Sequence, residues 1–130
     1  MSTQGYIYDD SFVADGAVSQ WRIVVAGDIH GHAKLPAAQD AGEIVGVSQH
    51  STSASGDTIL VRRTGISKIQ VSSGNVTRGV ALRAFDIRGM ADRQAAAWVS
   101  GDGVLGYAEE DSSASGDIIE CWLAIRQLLG

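Results

Sequence analysis

The chain carries the same stretch of sequence twice. Residues 16–38 (GAVSQWRIVVAGDIHGHAKLPAA) return as residues 74–96 (GNVTRGVALRAFDIRGMADRQAA), 58 positions later. Residues 44–61 (IVGVSQHSTSASGDTILV) return as residues 104–121 (VLGYAEEDSSASGDIIEC), 60 positions later, so a two-residue insertion separates the blocks. The first block agrees at Gly16/Gly74, Val18/Val76, Ala26/Ala84, Asp28/Asp86, Ile29/Ile87, Gly31/Gly89 and Ala33/Ala91. The second agrees at Gly46/Gly106, at Ile59/Ile119 and through the whole SASGD pentad at 53–57 and 113–117. A catalytic constellation is needed once, whereas a structural unit can be doubled. The duplication therefore points to architecture, with two similar halves burying one face against each other.

The periodic segments read as strands. Val18–Val25 alternates, with Trp21, Ile23 and Val25 on one face and Gln20 and Arg22 on the other. Ile119, Cys121, Leu123 and Ile125 make an apolar face at period two, and their counterparts Ile59 and Val61 are expected to face the same core. Further strands are expected at Ile44–Gln49, Gly65–Val71, Val80–Ala84, Ala97–Val99 and Val104–Ala108. Sixteen glycines and Ser-Gly-Asp or Ser-Gly-Asn clusters punctuate them, because glycine supplies positive φ and Asp or Asn caps the turn. Gly89–Trp98 reads as a short helix or a loop. Many short strands with regular turns specify an all-β protein, and the doubling specifies a jelly-roll-like β-sandwich built from two similar halves.

A length of 130 residues fits one domain, placed at 14–130 with internal repeats 16–61 and 74–121. Residues 1–13 (MSTQGYIYDDSFV) have no visible counterpart and read as an extended N-terminal arm. Its Tyr6, Ile7, Tyr8 and Phe12 are too apolar for a free tail, so they are expected to bind a partner subunit. The other reading of the arm is an edge strand of the same sheet.

Composition excludes several classes. The net charge is −5 and the basic residues do not cluster, which argues against nucleic acid. No apolar run approaches the ~20 residues that cross a bilayer. Met1–Asp10 lacks the apolar segment of a signal peptide, which implies synthesis in a reducing cytoplasm. Cys121, the single cysteine, lies in an apolar strand and is expected to be buried and inert.

One motif looks chemical. Val25–His32 (VAGDIHGH) resembles the first motif of calcineurin-like metallophosphoesterases, whose Asp and His would bind an ion of a two-metal centre. The later motifs fail: Leu60 stands where a further Asp is needed, Val76 follows Asn75 where a His is needed, and no His occurs after His50. The internal copy of DIHG is DIRG at 86–89, which keeps the Asp, Ile and Gly of a turn and loses the ligand. His30, His32 and His50 read as surface residues, and Glu109-Glu110-Asp111 as a solvated loop. Trp21, Trp98 and Trp122 read as core packing, or as intersubunit anchors wherever exposed. Neither a catalytic residue nor a metal or cofactor site is assigned.

The order of small motifs carries a family resemblance. Phe12–Ile23 (FVADGAVSQWRI) is followed by Glu43–Ser48 (EIVGVS), the Ser53–Val61 turn and strand (SASGDTILV), Gly65–Val71 (GISKIQV) and Gly74–Leu82 (GNVTRGVAL). Gly103–Ala108 (GVLGYA), a second SASGD turn and a final strand complete it. This resembles the capsid cement, or head-decoration, proteins of tailed bacteriophages over roughly residues 12–125. The resemblance implies a non-enzymatic structural protein on the outer capsid surface of the virion. Its implied partners are the major capsid protein, whose capsomers it would bridge, and itself as a homodimer or homotrimer. A small virion-surface binding or adhesion module is the alternative.

Overall fold

The computed structural model describes residues 7–39, 43–94 and 103–127. Tyr6, the expected Ala97–Val99 strand and Trp98 lie outside the described residues. Nine strands form among them: β1 (Tyr8–Ala14), β2 (Ile23–Ala26), β3 (His32–Lys34), β4 (Ile44–Ser48), β5 (Thr58–Gln70), β6 (Ala81–Ala84), β7 (Ala91–Arg93), β8 (Gly103–Ala108) and β9 (Ile118–Gln127). The described residues contain no helix, and Ala91–Arg93, inside the expected helix-or-loop, is strand.

The strands form one continuous sheet in the order β1-β3-β2-β4-β5-β9-β8-β6-β7. β1 also pairs with β5, which closes the first five strands into a small barrel. On the other side Val71, just beyond β5, bridges in parallel to Ala91 of β7 and draws the second set round in the same way. β5 serves both sets. Thr58–Thr64 pairs with β1, and Gly65–Gln70 pairs with β9. The handover falls at Gly65, whose φ of +94° is open to glycine at little cost. The expected jelly-roll sandwich thus gives way to a curled sheet. Such closure leaves fewer open sheet edges than two facing sheets would.

The register repeats with the sequence. Ala26 pairs with Ala33 as Ala84 pairs with Ala91. Val24 pairs with Gly46 as Leu82 pairs with Gly106, and Val47 with Arg62 as Tyr107 with Trp122. β1 obeys the same scheme, with the second half of β5 as its counterpart. Ala14 N–H donates to Asp57 O at 2.8 Å as Val71 N–H donates to Asp117 O at 2.9 Å. Gly56 N–H donates to Ala14 O as Gly116 N–H donates to Val71 O, both at 2.8 Å. Each unit therefore begins one strand earlier than the sequence alignment shows. Residues 8–14 are the first strand of the first unit, hydrogen-bonded to β3 and β5, and not an arm.

Two cores result. Ala14, Val18, Val24, Ala33, Val45, Ile59 and Val61 fill the first barrel. Their counterparts Val71, Val76, Leu82, Ala91, Leu105, Ile119 and Cys121 all lie in the second core. Ile59 and Val61 thus face a core equivalent to that of Ile119 and Cys121, not the same one. The second core also takes in Ile23, Val25, Ile44 and Val47 from the outside of the first barrel. Strand β2 is therefore buried on both faces; of the expected polar face of Val18–Val25, Gln20 is exposed ahead of the strand and Arg22 is half-buried. That segment becomes strand only at Ile23 because the chain turns at Trp21, whose φ is +63°. Its counterpart Gly79 has φ +94°.

Candidate interaction surface

Asp28 and His32, two of the residues that looked chemical, are held by structural partners. Asp28, Ile29, His30 and Gly31 make the β2–β3 turn, and Gly31 takes a φ of +85°, matched by +75° at Gly89. Asp28 Oδ1 accepts from Lys34 Nζ at 3.0 Å at the surface. His32 Nδ1 lies 2.6 Å from Asp15 Oδ1, and this hydrogen bond holds the Asp15 carboxyl below the usual carboxylate range. His30 is exposed. Among the described residues no three His, Cys, Asp or Glu side chains come together as a metal-holding group.

The loop residues that read as merely solvated close main-chain gaps at equivalent places. His50 Nε2 accepts from Leu60 N–H at 3.1 Å, and its counterpart Glu110 accepts from Glu120 N–H at 2.7 Å through Oε1. Ser51 Oγ accepts from Gln20 N–H at 3.0 Å, and its counterpart Asp111 Oδ1 accepts from Arg78 N–H at 2.8 Å. Different residue types do one job in the two units, so similarity of type could not reveal it. The SASGD pentads are turns. Asp57 accepts from Ser53 and Ala54 N–H, each at 3.1 Å, and Asp117 from Ser113 and Ala114 N–H at 2.7 and 3.0 Å. Those main-chain donors hold the partly exposed Asp117 carboxyl below its usual range. Cys121 is fully buried, and burial pushes its thiol up to about 12.

Several large apolar side chains are exposed. Of the residues singled out for partner binding, Ile7 and Tyr8 are 46% and 41% exposed. Phe12 instead points into the first barrel, packed on its core with the Arg63 guanidinium 5.7 Å above its ring. Tyr6 lies outside the described residues. The structure adds residues that the arm reading missed. Trp122 is 47% exposed on the outside of β9, opposite Tyr107 of β8 and Ile66 of β5. Ile118, Ile29 and Ile87 are also exposed. The sequence signal for Trp122 was its place out of phase with Ile119, Cys121 and Leu123, which puts it on the other face of the strand.

The chain matches no protein-family model and no curated protein sequence. It is similar to a solved structure, the N base of head fiber gp8.5 in bacteriophage phi29, at a TM-score of 0.66 and 16% identity. That match covers 96% of this chain and 99% of the other. The two chains share a fold. At this identity the likeness is one of backbone, spanning both units and the shared β5.

Proposed function

We propose that this protein is a structural component of a phage head. On this reading it decorates the outside of the major capsid protein shell and bridges capsomers as a cement. The observation that carries the reading is the backbone likeness to a head-fiber base over almost the entire chain. The motif order from Phe12 to the last strand points the same way independently. The physics suits the task. A shell packed with DNA is strained at the seams between capsomers, and a rigid body with several modest contacts resists separation through high effective concentration. A net charge of −5 keeps such a protein off the packaged DNA. No catalytic step is part of the proposal.

The test is to mix purified protein with DNA-filled heads that lack it. We expect saturable co-sedimentation with the heads and a higher temperature of DNA release. Heads that retain no protein at micromolar concentration would overturn the cement role. A second reading, an adhesion module, draws on the solvent-facing Trp122 beside Tyr107. Binding to host-cell glycans in the absence of heads, lost in Trp122→Ala, would favour it.

A further inference from the structure

The two units meet in a way that is not symmetric, and among the described residues this leaves part of one copy of each contact surface exposed. The outer face of the first barrel enters the open end of the second. Ile23 N–H donates to Gly89 O at 2.7 Å, and Arg22 Nη1 to Arg88 O at 2.9 Å. Gln49 Nε2 donates to Ser67 Oγ at 3.0 Å. Ile44 lies so close to Gly103 that a Cβ there would come within 3.2 Å of its Cδ1. Ile23, Ile44 and Val47 share one core with Ile69 and Leu123.

The second unit's receiving residues are therefore Ser67, Ile69, Arg88, Gly89, Gly103 and Leu123. Their counterparts in the first unit are Asp10, Phe12, His30, Gly31, Glu43 and Arg63. All six of these line one open groove of about 570 Å³. On the other side, the inserted residues Arg22, Ile23 and Val47 correspond to Val80, Ala81 and Tyr107, while the counterpart of Ile44 is Val104, which is already buried where β8 pairs with Arg126 of β9. Ile23 and Val47 are fully buried in the joint, whereas Val80, Ala81 and Tyr107 remain partly exposed, bordered by Trp122. Among the described residues, one chain thus holds an unfilled socket at one end and a partly exposed plug at the other.

We infer that a second copy of this chain fills the socket: the Val80–Ala81–Tyr107 face of one molecule seats in the Phe12–Arg63 groove of the next. The joint repeats the side-chain contacts of the internal one without its continuous strand, so units follow each other head to tail. A heterologous contact of this kind closes into a ring if the rotation allows and otherwise continues as a filament. The occupant is the chain itself, so the joint forms without a capsid shell.

The experiment uses the full chain and light scattering after gel filtration. Wild-type protein at high micromolar concentration is expected to be larger than a monomer. Ala81→Arg places a charge on the plug, and Arg63→Glu adds an acid to a socket that already holds Asp10 and Glu43. Each variant alone is expected to be monomeric with its thermal transition retained; Tyr107→Asp serves as plug variant if Ala81→Arg fails to fold. Mixed together, the plug variant's intact socket and the socket variant's intact plug leave one good joint, so the mixture gives a dimer. A monomeric wild type, variants that assemble like the wild type, or monomeric variants that do not dimerise on mixing would each overturn the inference.

Discussion

Gly46 and Gly106 sit where the neighbouring strand leaves no space for a side chain. A Cβ at Gly46 would lie 2.2 Å from the Arg62 carbonyl oxygen, and one at Gly106 would lie 1.9 Å from that of Trp122. The obstacle is main chain in both units and cannot rotate away. Gly79 is a different case: its φ of +94° needs glycine, but a Cβ there meets nothing within 4 Å. Gly79→Ala is therefore expected to cost about 1 kcal/mol through backbone strain alone. Gly46→Ala and Gly106→Ala each force strands apart and are expected to cost about 3 kcal/mol or more. Denaturant melts of the three variants check the ranking; equal midpoints would refute the close approach. The alignment had paired Gly46 with Gly106, but their purpose became visible only with the strands side by side.

At the scale of the element, β1 decides how the first barrel closes. It pairs antiparallel with β5 from Tyr8 to Val13 and parallel with β3 at Val13 and Ala14. Arg62 grips it through Asp9, with Nε to Oδ1 at 2.8 Å and Nη2 to Oδ2 at 3.1 Å. Both side chains are about three-quarters buried, and Arg62 also donates to Ile66 O at 3.0 Å. A chain beginning at Val13 loses this pairing and the Phe12 ring together. We expect it to lose cooperative unfolding, read as a broad, early thermal transition by circular dichroism. A sharp transition at the wild-type temperature would return β1 to the status of an arm. The only proline acts at the same scale. Gln94 N–H donates to Ala81 O at 2.8 Å, whereas its counterpart Pro36 has no N–H to give. β3 ends before Pro36, and Gly89 of the second unit takes the freed edge of β2 at Ile23.

For the molecule as a whole, the joint between the units is part of the larger core, not a linker. Ile23, Val25, Ile44 and Val47 belong to the first unit by sequence and to the second core by packing. β5 runs unbroken through both units. The two units are therefore expected to unfold as one. Calorimetry should give a single transition whose calorimetric and van't Hoff enthalpies agree, and Ile23→Ser should lower it without splitting it. Two resolved transitions in the wild type would show that the units are independent.

The sequence alone determined the all-strand character, the duplication from Gly16 onward, the SASGD turns and the burial of Cys121. Each of these rests on a local cause: period two along a strand, glycine at positive φ, or an Asp accepting main-chain hydrogen bonds within its own turn. It did not reveal that Tyr8–Ala14 matches Gly65–Val71, because the two segments share no identical residue and are equivalent only in what they pair with. Nor did it reveal the curled sheet, the two separate cores, or the face around Trp122 and Tyr107. Those depend on which strands lie beside one another, and contacts between residues dozens of positions apart leave no periodic trace in the chain. The tertiary structure alone decided that two similar units would join asymmetrically, because a plug on one can be buried only by the open end of another.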